Sequence, residues 1–187
     1  MTQAERLAET RARILETADR LFYGQGIRAV GVDTIAAEAG LSKRTLYNHF
    51  PSKEALILAY LERRFRIAEA SDAPPLEQIR RYFERLEHSI AAPGFRGCPF
   101  VNAVAELGEE GRAATDVARR FKTARNAFLR SLVAQLAVDD PEGLSQQLGL
   151  LVEGAVAAAL VHGSAAPARV AGTAALALIA AAERRAG

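Results

Sequence analysis

One cysteine, one methionine, three histidines and no tryptophan leave this 187-residue chain short of the side chains on which most chemical sites are built. Cys98 alone excludes an internal disulfide framework and fits a reducing compartment. His49, His88 and His162 are scattered without metal-ligand spacing, so neither a metal site nor a cofactor is expected. No glycine-rich phosphate loop occurs. An enzyme reading has only Cys98, His88 and Glu106 to draw on as nucleophile, base and orienter, and a break in the chain between them fixes no geometry. Net charge is only +2, so bulk electrostatics announces no nucleic-acid partner. The N-terminal MTQAERLAETRAR alternates acids and bases without an apolar run, unlike a secretory signal. The most apolar stretches, 148–161 and 170–182, fall short of the roughly 20 residues that cross a bilayer, and Glu153 interrupts the first. They are expected to be buried helices of a cytoplasmic protein with no membrane partner.

What the chain does have is Ala, Leu, Arg and Glu, with few β-branched runs, which predicts an all-α fold of about nine helices. Its charge is unevenly placed. Residues 1–66 hold 11 Lys/Arg against 8 Asp/Glu, the rest 13 against 14, and 41–53 contains three bases and no acid. Such a local patch suits a phosphate-contacting element. The first helix is expected over 3–23, ended by Gly24 and Gly26, with Arg6, Arg11 and Arg13 on its polar face. Those arginines approach DNA phosphates or simply form a solvated face with Glu9 and Glu16.

Val32, Ile35, Ala36 and Ala39 make the stripe of a second, short helix. Gly40 supplies the positive φ of a sharp turn, Leu41 plugs the core, and Ser42 caps a third helix that buries Leu46 and Phe50. The rest of that helix, Lys43, Arg44, Thr45, Tyr47, Asn48 and His49, points outward. Pro51 stops it, and Ser52 caps a helix expected over 53–70. Further helices are expected at 76–91, from 100 to about 110, and at 114–138, 142–162 and 167–185, the break before 142 being a DDPEG turn with Asp140 as N-cap.

A two-helix unit with this turn places its second helix in the major groove. The run LSKRTLYNHFPSKEAL at 41–56, with IAAEAG before it and ILETADRLFYGQGI at 14–27, resembles the TetR family of bacterial transcriptional repressors over roughly the first 60 residues. The resemblance implies a helix-turn-helix domain at 1–52 and a ligand-binding and dimerisation bundle at 53–187, with 53–70 connecting them. It puts Ser42, Lys43, Arg44, Thr45, Tyr47, Asn48 and His49 on the recognition helix. Tyr47, His49 and Lys53 would hold phosphates, while Lys43, Arg44 and Thr45 would meet base edges. Thr34 would clamp the backbone from the preceding helix. Gly31 stands where the family usually has a capping Thr, which removes a hydroxyl contact but not the cap.

A single recognition helix reads too few base pairs to specify an address, so a homodimer on a palindromic operator is expected. Leu148, Leu151, Val152, Ala155, Val156, Ala159, Leu176 and Ile179, on the last two helices, are the candidate interface. The resemblance also implies a small-molecule effector in a cavity of the C-terminal bundle, with Phe65, Phe83, Phe95, Cys98, Phe100, Asn102, Phe121 and Phe128 as candidate lining and a mostly apolar or aromatic ligand as its match. Cys98 precedes Pro99 at a helix start, and is either a structural turn residue or an electrophile- and oxidant-sensing thiol. A nonspecific DNA-packaging protein is a third possibility, distinguishable by its lack of sequence preference.

Overall fold

A computed structural model describes residues 2–186, with side chains placed for 2–183, and among them are nine α-helices, one 3-10 turn and no strand. Helix α1 (Gln3–Gln25) opens on a capping box in which the Glu5 amide donates to Thr2 Oγ1 (3.2 Å) and the Thr2 amide to Glu5 Oε2 (2.6 Å). It runs through Gly24 and stops at Gly26, whose φ of +99° no other residue type adopts readily. Helices α2 (Val32–Glu38) and α3 (Lys43–His49) flank the turn at Gly40, where φ is +65°.

Helix α4 (Lys53–Arg64) is capped by Ser52 as expected but ends well before residue 70. Its buried stripe of Leu56, Ile57, Tyr60 and Leu61 reaches an arginine at the next core position. Arg64 is held by Asp19 of α1 through Nε–Oδ1 (2.6 Å) and Nη2–Oδ2 (2.9 Å), and its guanidinium lies 4.0 Å over the Tyr23 ring. Phe65 then leaves helical geometry at ψ 87°. The segment that follows is tied to the next helix by Gln78, a buried amide that accepts the Ser71 N–H and donates to the Ser71 and Ala73 carbonyls.

The remaining helices are α5 (Pro75–Ala91), α6 (Pro99–Leu107), α7 (Arg112–Val133), α8 (Pro141–His162) and α9 (Ala166–Ala186), with the 3-10 turn at Gly108–Gly111. Helix α7 begins two residues before and ends five before its expected bounds, since turns close at Leu136 and Val138. Asp140 caps α8 through its Oδ1 and the Gly143 amide (2.8 Å).

The chain forms two compact units. One comprises the residues up to Arg66 together with Pro99–Arg119, and the other Ile67–Cys98 together with the residues from Arg120 onward. This partition differs from a functional division at 52/53, because α4 and α6 both belong to the first unit. Its core holds Ile14, Ala18, Leu21, Phe22, Ile35, Leu46, Phe50 and Tyr60, with Phe22 and Tyr60 meeting edge to face at 5.6 Å. The second core joins Ile79, Phe83 and Ile90 of α5, Phe128 and Leu129 of α7, and Leu148, Val152, Ala155, Ala171, Ala175 and Ile179 of α8 and α9. Gly172 lets α9 approach α5 closely, since a Cβ there would stand 3.2 Å from that of Phe83.

Helices α8 and α9 are both long and apolar enough to cross a membrane by length and composition alone, which corrects the expectation that these stretches are too short. Nor are they wholly buried. Leu150, Val161 and Val170 are 71%, 81% and 68% exposed, because apolar residues occupy more faces of these helices than the core covers.

The Arg64–Asp19 pair predicts a stability test. Arg64→Met should cost about 2 kcal/mol in urea unfolding, as should Asp19→Asn, and the double variant should cost clearly less than the two together. Strict additivity would show that the pair is not coupled.

Candidate nucleic-acid interface

Helix α3 is presented by burial of one face: Leu46 is inaccessible and Phe50 nearly so, which leaves positions 43, 44, 47 and 48 exposed. Ser42 caps it by accepting the Thr45 amide (3.0 Å), and the two hydroxyls lie 2.8 Å apart. These two residues are therefore engaged with each other before DNA arrives. Lys43 is engaged as well, its Nζ 2.9 Å from Asp33 Oδ1 of α2. The hydrogen bond that Lys43 donates to Asp33, and then the charge of Asp33, push the Lys43 pKa up. Arg44 and Asn48 are exposed and form no hydrogen bond or ion pair among the described residues. Thr34 is exposed on α2, which starts at Gly31 in extended conformation with no side-chain cap.

The end of α3 is fixed by a residue whose role the sequence left open. Arg11 of α1 donates to the His49 carbonyl (3.0 Å) and lies 4.1 Å over the Phe50 ring. It ties α1 to α3 instead of forming part of a merely solvated face. Between those helices Arg6, Leu7, Thr45 and Asn48 line a cleft of about 540 Å³. Lys53 opens α4 half-buried. Burial pushes its pKa down, and the charge of Glu106 on α6 opposes that shift. Glu106 itself accepts the Arg28 amide at 3.0 Å.

The candidate effector lining divides between the units. Phe65, Phe100 and Asn102 belong to the first, where Phe65 meets Phe100 edge on at 6.3 Å. Phe83, Phe95, Cys98, Phe121 and Phe128 belong to the second, where Phe83 and Phe128 are core residues in contact with Tyr82. The second unit also encloses charges that the sequence reading passed over. Glu153 takes Lys122 Nζ at 2.5 and 2.7 Å and Arg125 Nη1 at 2.5 Å, and Arg125 is only 6% exposed. Burial by itself would raise the Glu153 pKa, but hydrogen bonds from Lys122 and Arg125 outweigh it and hold the carboxyl below its ordinary value of 4.5. Lys122 also meets Cys98 Sγ at 3.5 Å. Two such cations sharing one acid carry no local sequence signal, being 28 and 31 residues from Glu153.

Of the candidate interface residues, Leu148, Val152, Ala155, Ala159 and Ile179 are buried in the core of their own chain, while Leu151, Val156 and Leu176 are half-buried. Leu151 and Ala155 also line the accessible apolar surface. An open groove of about 960 Å³ runs along Leu150, Leu151, Gly154, Ala158, Val170, Ala174 and Leu178. The set of Cys98, His88 and Glu106 is likewise dispersed over separate tasks: His88 Nδ1 pairs with the Glu84 carbonyl (2.8 Å), Glu106 with the Arg28 amide and Cys98 with Lys122.

An all-helical chain that exposes a capped, cationic second helix after a glycine turn has the form of a helix-turn-helix transcriptional regulator. Residues 14–60 match the model for bacterial regulatory proteins of the tetR family, and residues 75–174 that for the C-terminal domain of LmrA/YxaF-like transcriptional regulators. The chain belongs to the TetR family, as a regulator and not an enzyme. The crystal structure of SCO4454, a TetR-family transcriptional regulator from Streptomyces coelicolor, superposes with a TM-score of 0.84 at 32% identity, covering 94% of this chain and 97% of that one. The uncharacterized regulator YxaF of Bacillus subtilis is 27% identical over 165 residues, 81% of this chain and 85% of its own. The repressor KstR2 of Mycobacterium tuberculosis is 37% identical over 92 residues, 43% of this chain. That alignment covers 46% of KstR2, and the matched part of the chain spans a quarter or less of two other curated relatives.

Two outcomes follow from the site. Arg44→Ala should cost about 1–3 kcal/mol of operator affinity and relax preference at one base position, and Arg44→Lys should not restore it. Glu153→Gln should lower stability by about 1–2 kcal/mol above pH 4.5. Because the folded pKa is depressed, that difference should shrink as acid titrates the wild-type carboxylate, a trend visible in urea melts from pH 7 to 3.

Proposed function

We propose that the chain acts in the cytoplasm as a homodimeric repressor of a palindromic operator, released by a small, mostly apolar or aromatic effector. The observation that carries this reading is the pairing of an exposed cationic reading helix with a long exposed apolar groove on α8 and α9. A contiguous apolar strip shared by two neighbouring helices is a surface that a partner of the same kind can cover. Covering it with a second copy gives a four-helix interface, built around Leu150, Gly154, Ala158 and Leu178. Gly and Ala permit close helix approach there, and Leu and Val supply the area removed from water.

Dimerisation sets two α3 helices to read half-sites about 34 Å apart. On the DNA, Arg44 reaches base edges and Tyr47, His49 and Lys53 take phosphates, with Thr34 bracing from α2. Lys43 exchanges Asp33 for DNA on binding. Repression agrees with the name of KstR2, a transcriptional repressor, although FasR of Mycolicibacterium smegmatis, 47% identical over 55 residues, is named an activator. Release requires an effector that binds the operator-incompetent state more tightly, since equal affinity for both states shifts nothing. Phe95, Phe121 and their neighbours supply apolar lining in the second unit, and the Lys122–Glu153 pair supplies polar recognition. Sensing through Cys98 is the lesser reading, because the ammonium that meets its sulfur is already bound to Glu153 at 2.5 Å.

Selection of bound fragments from random DNA should return a palindrome, and Leu150→Glu should yield a helical monomer in sedimentation whose operator affinity is at least about tenfold weaker. A nonpalindromic site, or a variant that remains dimeric, would count against the reading.

A further inference from the structure

The loop 26–31 between α1 and α2 sets where α2 begins, and with it the placement of α3. One contact to this loop comes from far along the chain: Glu106, in the last turn of α6, accepts the Arg28 amide 78 residues away. Gly26 faces the same carboxylate, and a Cβ there would stand 3.0 Å from Oε2 and 3.4 Å from Cδ. The positive φ at Gly26 thus serves a second purpose, since the bare Cα gives the carboxylate room to reach the loop. The charge of Glu106 is also felt at Lys53, where it favours the ammonium against the cost of burial. Beside these contacts a cleft of about 320 Å³ is lined by Lys53, Ile57 and Leu58 of α4 and by Leu107 and Ala114.

We propose that Glu106 is a positioning residue for DNA binding: its carboxylate pins the α1–α2 loop through the Arg28 amide, and so holds the start of α2 in place. The proposal rests on the reading of Gly31–Lys53 as the DNA interface. As a hydrogen-bond acceptor Glu106 supports operator binding by fixing the loop. A glutamine keeps the acceptor and removes the charge, whereas an alanine removes both.

The test compares wild type, Glu106→Gln and Glu106→Ala by amide hydrogen exchange at Arg28 and by affinity for the DNA duplex that the wild-type protein selects from a random pool. Glu106→Gln should keep the Arg28 amide protected and bind DNA within about twofold of wild type. Glu106→Ala should lose protection at Arg28 and bind about tenfold more weakly. A purely structural role would weaken binding in both variants in step with their melting temperatures. Equal Arg28 exchange in all three proteins overturns the pin, as does a glutamine variant that binds DNA as weakly as the alanine variant. If the wild-type protein selects no DNA while Arg28 exchanges slowly, the interface reading fails, and the pin loses its role in binding with it.

Discussion

The recognition helix cannot hold itself together. At seven residues, α3 is far below the length at which an isolated helix persists in water, so its existence depends on the removal of Leu46 and Phe50 from solvent. That burial also fixes its rotation: once positions 46 and 50 face inward, the 3.6-residue period turns Arg44 and Asn48 outward. Ser42 satisfies an amide at its start, and Arg11 secures a carbonyl at its end while covering the Phe50 ring. The exposed face of α3 is thus a short cationic surface supported from beneath by apolar contacts and at its ends by hydrogen bonds.

Those supports were legible in the sequence to the extent that they are local. A glycine that must take positive φ, a serine three residues before the amide it caps and an apolar stripe at helical spacing all announce themselves within ten residues. The positions of α2, α3 and the start of α4 followed from them. The end of α4 did not, and its last residue, Arg64, is held by Asp19, 45 residues earlier. The role of Arg11 was hidden for the same reason, since a surface arginine on an amphipathic helix looks alike whether it meets water or the carbonyl of a helix far along the chain.

The C-terminal half shows a different limit. Helices α8 and α9 are rich in Ala, Leu and Val on nearly every face, so periodicity cannot separate the stripe that faces the chain's own core from the one left open. Leu148 and Leu150 are indistinguishable by composition, yet one is fully buried and the other 71% exposed. The interior charges were equally silent: Arg125 and Glu153 each lie on helices long enough to suggest a solvated position, and only the fold brings them together. In both cases the missing information is tertiary, and no reading of a single helix contains it.

The discontinuity of the first unit bears on how such regulators can be recombined. Because Pro99–Arg119 is part of it, a genetic crossover near residue 66 would not carry an intact module. The transplanted helices would arrive without Phe100, the aromatic neighbour of Phe65, and without the carboxylate that holds the Arg28 amide. Exchange of DNA specificity between lineages is then constrained to travel with a matching segment from the middle of the chain, or to proceed by point substitution on the exposed face of α3. Arg44 and Asn48 are suited to the second route, since no other described side chain depends on them.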